Sequence, residues 1–323
     1  MKPICFSSPL AERMDSFVRL RQASGRDYQS QAYLLGRFDR FLIEEGFNDN
    51  LITRELTEGY QQALTHLAQT TRYIRFCVVR QFCEYLALDD PQSYVPLPMR
   101  HVSTRGARVP YIYSKEQIKS LLQAAGALNT ENSLFPLTAK TFLGLLYTTG
   151  LRCGEALHFN LEDFYPQKSA LYVREGKFKK DRWIPLSAST CQALETYVSR
   201  RIETHAPREA PLFVNPRGSR LEHHRIYKTF RRLLGECQIP HPPGSGPRLH
   251  DFRHTFANHR LLQWYREGED LNTHLPALAT FMGHAHIQST QVYLQATPEL
   301  IEQVDQRFHT HFKKHIQNKG NPS

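Results

Sequence analysis

This sequence has no apolar run long enough to span a bilayer, no C-x-x-C pair, and no clustering of carboxylates of the kind that holds a pair of metal ions. The first lack excludes a membrane-spanning helix. The second bears on the six cysteines, Cys5, Cys77, Cys83, Cys153, Cys191 and Cys237. Without a tight framework they read as reduced, mostly buried thiols. The third lack argues against a two-metal nuclease or transposase, whose ions need clustered acids. The opening segment MKPICFSSPLAERMDSF has no apolar core of the secretory kind. A cytoplasmic protein with no membrane partner is therefore expected.

Acids are also outnumbered. The 323 residues hold 41 Lys and Arg against 31 Asp and Glu, a formal net charge of +10. Such an excess favours a polyanionic partner, most often nucleic acid. The excess is clustered rather than spread. RGSRLEHHRIYKTFRR, residues 217–232, carries six Arg or Lys and one acid, Glu222. Arg225, Lys228 and Arg232 are spaced three and four apart, so a helix would carry them as one cationic stripe. Phosphate contact is the reading favoured there over a plain solvated face.

The length suits two domains. Residues 8–92 read as helical: YLLGRFDRFLIEEG puts Leu34, Phe38, Phe41 and Leu42 on one stripe and ends at Gly46. A later helix after Thr70 and Thr71 has Tyr73, Ile74, Cys77, Val78 and Phe82 on its apolar side, with Arg72 and Arg75 off it. Residues 93–112 read as a basic extended linker, in a stretch with four prolines that also holds Arg100, His101, Arg105 and Arg108. A second domain is expected over 113–316, opening on a capping box between Ser114 and Gln117. The last residues, 317–323, read as a flexible tail. Within the second domain, FPLTAKTFLGLLYTTGLRCGEALHF reads as two helices broken at Gly150, with Arg152 at the junction. ALYVREGKFKKDRWIPL reads as two short strands, Leu171 to Arg174 and Arg182 to Leu186, with Lys177 at the turn. The fold class expected is mainly α with a small antiparallel β-sheet.

The chemistry concentrates in LHDFRHTFANHRL, residues 249–261, where three His and two Arg surround a single Asp. On a helix His250 and Arg253 share a face, and a guanidinium matches phosphate with two parallel donors. Arg152, Lys177, His284 and Tyr293 complete a set able to transfer a phosphoryl group without metal or cofactor. Arginines would neutralise charge on a five-coordinate phosphorus. A phenol with an ordinary pKa of about 10 needs a base and nearby cations to attack, and a flexible lysine could protonate the leaving oxygen. Taken singly, each residue has a plainer reading. Tyr293 could be a packed aromatic, and Lys179 and Lys180 compete with Lys177. His284 and His286 lack a third ligand for a metal. Order and spacing together carry the case.

TTGLRCGEAL, GKFKKDRWIPL, LHDFRHTFA and MGHAHIQSTQVYL resemble, in that order, the signature segments of the tyrosine recombinase family, the phage-integrase and Xer type. The resemblance runs from about Ser114 to Val304, and the preceding helical region is similar to that family's SAM-like core-binding domain. It implies Arg152 and Arg253 as phosphate clamps, Lys177 as general acid, His250 and His284 as proton-transfer and phosphate-holding histidines, and Tyr293 as the nucleophile that forms a 3′-phosphotyrosyl link. Glu155 and Asp251 would support the arginine and the histidine. Arg72, Arg75, Arg105, Arg108, Arg225, Lys228 and Arg232 are the expected DNA contacts. The implied partners are double-stranded DNA bearing specific recombination sites and three further copies of the chain, as a homotetramer on DNA. The C-terminal segment with Leu300, Ile301, Val304 and Phe308 would pack on a neighbour or on its own domain. The hairpin departs from the family's usual Gly-Lys-Gly-x-Lys. The length between Arg253 and His284 favours a mobile-element enzyme over Xer-type chromosome or plasmid dimer resolution. The same residues also leave open a type IB topoisomerase-like enzyme and a non-catalytic DNA-binding protein.

Overall fold

The computed structural model describes residues 4–25, 27–100, 109–129, 133–174, 181–202, 207–242 and 246–283. The chain divides into two compact units, Met1–Arg108 and Val109–Ser323. None of the described helices is long and apolar enough to cross a membrane.

The first unit is built from α1 (Ala11–Ala23), α2 (Gln29–Glu44), α3 (Arg54–Ala63) and α4 (Gln69–Asp89). Phe38, Phe41 and Leu42 of α2 are buried as the periodicity requires, while Leu34 packs at the rim of the core. The buried line of α4 is Phe76, Val78, Val79, Phe82, Cys83 and Leu86. Ile74 is instead 49% exposed, so the apolar side of α4 is rotated from the one its sequence suggests. Aromatic rings knit the helices together, with Phe17 against Phe82 at 5.6 Å and Phe38 edge-on to Tyr60 at 4.9 Å. The carboxylate of Asp39 is buried, where it accepts the N–H groups of Ser7 and Ser8 and so ties the start of the chain to α2.

Part of the proline-rich stretch is held against this unit. Tyr94 N–H donates to the carbonyl of Ile52 at 2.9 Å, Arg80 Nε donates to that of Pro96 at 2.9 Å, and Val95 and Met99 join the core. At the other end Tyr113 belongs to the core of the second unit, stacked on Phe252 at 4.9 Å.

The second unit starts with α5 (Lys115–Gly126), capped reciprocally by Ser114 and Gln117 as its sequence predicts. It continues through α6 (Phe135–Thr149), α7 (Cys153–His158), β1 (Phe164–Tyr165), β2 (Ala170–Val173), β3 (Arg182–Pro185), α8 (Ala188–Ile202), α9 (His223–Glu236), α10 (Asp251–Glu267) and α11 (Leu271–Met282). The sheet runs β1-β2-β3, all antiparallel, with Leu171 opposite Ile184 and Val173 opposite Arg182. β1 is a strand of only two residues, too short to leave a periodic signal. Hydrophobic α6 lies at the centre of this unit, with Phe142, Leu143, Leu145 and Leu146 in the core beside Phe213, Phe230 and Phe252.

Candidate active site

Gly150 ends α6. It takes φ +60°, and a Cβ there would lie 2.4 Å from the ring of Phe256 on α10, so glycine is required for both conformation and closeness. The turn delivers Arg152 to the N-terminus of α7. One turn on, Glu155 accepts the Arg152 backbone N–H at 3.0 Å through Oε2 and its Nη1 at 2.8 Å through Oε1. A carboxylate in a first helical turn also meets the positive end of the helix dipole.

α10 supplies the second arginine. His250 is its N-cap, and Arg253 sits one turn in, 2% exposed. Arg253 donates from Nη1 to the carbonyl of Gly150 at 2.7 Å and from Nη2 to that of Met282 at 2.7 Å. Asp251 is buried and accepts the Arg248 N–H at 2.8 Å, which tightens the turn entering α10.

These contacts converge on the C-terminal end of α11. Arg253 takes the carbonyl of Met282, Arg152 Nη2 that of Gly283 at 2.9 Å, and Arg182 Nε that of Phe281 at 3.2 Å. The last carbonyls of a helix have no partners within it and carry its negative pole. Three guanidiniums therefore cap this end, immediately before the sequence position of His284. Arg182 also forks onto Glu155, Nη2 to Oε2 at 2.8 Å and Nη1 to Oε1 at 3.2 Å.

The electrostatics follow from that crowding. Burial pushes the Glu155 carboxyl up, but the hydrogen bond and charge of Arg182, then those of Arg152, outweigh it and hold the group below its usual pKa. His250 is held below the ordinary imidazole value, first by the protein packed around its ring, then by Arg253, Arg152 and Arg248. The residue still keeps an exposed surface. His254, edge-on to His250 at 5.0 Å, is pushed down to about 4 by burial and then by His250, Arg253 and Arg248.

The structure thus brings together Arg152, His250 and Arg253, with Glu155 and Asp251 beside them. Lys177, His284 and Tyr293 lie outside the described residues, as do Lys179, Lys180, His286, Arg105, Arg108, residues 317–323 and the segment with Leu300, Ile301, Val304 and Phe308. Arg182 was not singled out by sequence reasoning. Its signal was parity: on β3 it shares the inward side with buried Ile184 two residues on, while Trp183 between them is exposed.

The expected DNA contacts divide. On α9, Ile226, Phe230, Leu233 and Leu234 face inward while Lys228 and Arg232 are exposed. Arg232 pairs with Glu236 at 2.7 Å. Outside the stripe, Arg220 secures the carbonyls of Leu157 and Phe159, and Arg231 that of His241. Arg225 keeps a buried Nε with no hydrogen-bond partner among the described residues, as do Arg72 and Arg75 on α4. Around Arg75 the first unit gathers further cations that were not foreseen. Arg37 bonds the hydroxyl of Tyr33 at 2.6 Å, and Arg37, Arg40 and Arg75 together pull that phenol below its ordinary pKa.

The chain matches the phage integrase family over residues 112–299. It is 35% identical to "Putative integrase/recombinase y4rB" of Sinorhizobium fredii, over 93% of this chain and 97% of that one. It is 28% identical to tyrosine recombinase XerD of Oceanobacillus iheyensis, over 86% and 98%. Among solved structures, it superposes on the XerH site-specific recombinase bound to a palindromic difH substrate in a post-cleavage complex. The TM-score is 0.63 at 19% identity, covering 86% of this chain and 79% of that one.

Proposed function

Because this chain belongs to the phage integrase family, we propose that it is a site-specific DNA recombinase that cuts and rejoins duplex DNA through a 3′-phosphotyrosyl intermediate. The observation that carries this reading is the seating of Arg152 and Arg253 side by side on the end of α11, with His250 one turn from Arg253. Two guanidiniums fixed by backbone carbonyls are oriented before substrate arrives, which is what stabilising charge on a transferring phosphoryl group requires.

In this mechanism Tyr293 attacks the scissile phosphorus, the P–O5′ bond breaks, and the 5′-oxygen leaves with a proton from Lys177. A partner strand's 5′-hydroxyl then attacks the phosphotyrosine and frees the phenol, so bond energy is conserved within the covalent link. Arg152 and Arg253 bind the nonbridging oxygens. His250, with its pKa depressed, is neutral near pH 7 and can accept the phenolic proton or donate a hydrogen bond to the phosphate. Exchange between two sites needs four active sites, and we read the working form as a homotetramer on DNA, in the cytoplasm. The greater identity to an integrase/recombinase than to XerD supports a mobile-element role over dimer resolution.

The test begins with duplexes enriched by the protein from a random pool. These are then synthesised with a nick stepped one nucleotide at a time through the enriched sequence. Cleavage beside a nick releases a short fragment and traps a covalent protein–DNA adduct. Wild type should form one and Tyr293→Phe should not. An adduct surviving in Tyr293→Phe would reassign the nucleophile, and supercoil relaxation without site preference would favour a topoisomerase-like enzyme.

A further inference from the structure

We infer that Arg182 is a positioning residue of this site: it joins the base of the β2–β3 hairpin to Glu155 and to the end of α11, and thereby fixes the direction in which Arg152 presents its guanidinium. The inference rests on the recombinase reading and concerns a residue outside the six assigned to the chemistry.

The geometry is specific. Arg182 meets Glu155 with a two-pronged fork, Nη2 on Oε2 at 2.8 Å and Nη1 on Oε1 at 3.2 Å, while its Nε reaches the Phe281 carbonyl at 3.2 Å. All three donor nitrogens of one planar group are thus used, on two different segments. The same two carboxylate oxygens hold Arg152, by Nη1 and by the backbone N–H. Glu155 therefore cannot tilt without breaking contacts to both arginines. Among arginine's relatives, lysine could supply the charge but not the planar fork.

The surroundings are shaped for this group. Gly283 takes φ +67°, and a Cβ there would come within 2.9 Å of the Arg182 Cζ and Nη1. That glycine admits the guanidinium at the residue whose carbonyl Arg152 occupies. Arg182 opens β3 opposite Val173, so it anchors the hairpin whose connecting segment contains Lys177 in sequence.

Charge gives an independent reason to look beyond a structural tie. Arg152 and Arg182 are mostly enclosed and share one carboxylate, and Arg253 lies on the next carbonyl along. A pair kept only for stability needs one cation per anion, since enclosed charge is unfavourable unless balanced. Two guanidiniums on one carboxylate leave more positive charge than Glu155 alone balances, which suits a site that awaits an anion. The second arginine holds Glu155, and through it Arg152, in the orientation that meets it.

Arg182→Lys and Arg182→Gln, compared with wild type on the same series of nicked duplexes, decide the matter. Three quantities are read: thermal midpoint, equilibrium binding of the duplex, and adduct rate at saturating protein. Arg182→Lys should bind within about threefold of wild type yet form adduct about tenfold more slowly at saturation. Arg182→Gln should be slower still, about a hundredfold, as expected when a catalytic group is misplaced by about an ångström. Wild-type rates at saturation in Arg182→Lys and Arg182→Gln would overturn the inference and leave the recombinase reading intact. So would a rate loss that only tracks the unfolded fraction at the assay temperature. Should wild type form no adduct on any duplex in the set, the recombinase reading falls and takes this inference with it.

Discussion

The guanidinium of Arg253 donates to the backbone carbonyl of Gly150 at 2.7 Å, joining positions 103 residues apart in the chain. That bond makes the break after α6 part of the site, because the turn that frees Arg152 also supplies an acceptor for Arg253. Phe256, one turn beyond Arg253, closes on Gly150 from the same helix. Gly150→Ala should therefore act on stability and activity together. The left-handed backbone alone costs about 1–3 kcal/mol for a residue with a side chain, and the Cβ contact at 2.4 Å adds to it. A loss of at least about 2 kcal/mol in urea unfolding is expected, with adduct formation reduced in the fraction that folds. Unchanged unfolding would mean that α10 does not pack on Gly150 as described.

Glu155→Gln keeps the shape of the carboxylate and removes its charge, leaving Arg152 and Arg182 to repel each other across a neutral amide. Breaking a fully buried pair costs about 3–5 kcal/mol. Here Arg152 keeps 23% of its side chain open, so about 2 kcal/mol is the expected loss. The pH dependence has a definite sign. The Glu155 pKa is depressed in the folded state, so its stabilisation is present above the unfolded value and disappears as pH falls through the folded one. Wild type should lose more stability than Glu155→Gln between neutral pH and the range below 4.5. Parallel unfolding curves across that range would contradict the shared-carboxylate geometry.

His254 gives the opposite kind of group, a cation-forming residue whose charge is disfavoured on folding. With a folded pKa of about 4 against an ordinary 6.5, the unfolded chain binds a proton that the folded chain refuses between those values. Stability should therefore fall as pH drops from 6.5 toward 4, and His254→Gln should flatten that slope. An NMR titration of the ring should show a midpoint near 4. A midpoint at or above the ordinary imidazole value would show that the ring is not buried beside His250, Arg253 and Arg248 as the structure puts it.

Much of the site was legible because its parts have local signatures. A glycine after an apolar helix marks a stop, Ser114 and Gln117 have capping-box spacing, and His250 and Arg253 fall three apart on a helix. What escaped was set by contacts between distant segments. Arg182 looks like an ordinary strand cation until α7 and α11 are placed beside it, and β1 exists only because β2 offers it a partner. The rotation of α4 that exposes Ile74 is likewise decided by neighbouring helices rather than by its own periodicity. Cation stripes are legible in number but not in role: Arg232 belongs to the stripe on α9 by spacing, yet Glu236 one turn on takes its guanidinium. Arg220 and Arg231, in the same basic run, are spent on carbonyls.

That division of roles on α9 can be read from salt dependence. Each phosphate neutralised contributes about 0.9 to the slope of log affinity against log salt. Lys228 is exposed and forms no ion pair among the described residues, so Lys228→Ala should lower the slope by about one if a phosphate lies against it. Arg225→Ala should behave similarly, since its buried Nε has no partner among the described residues. Arg232→Ala should change the slope by less, because its exchange from Glu236 to a phosphate gains little over the pair it already makes. Filter binding of a labelled duplex across a salt series measures all three. Slopes unchanged from wild type in all three variants would mean that this face of α9 does not meet the DNA backbone, and the cationic run would then be a solvated surface.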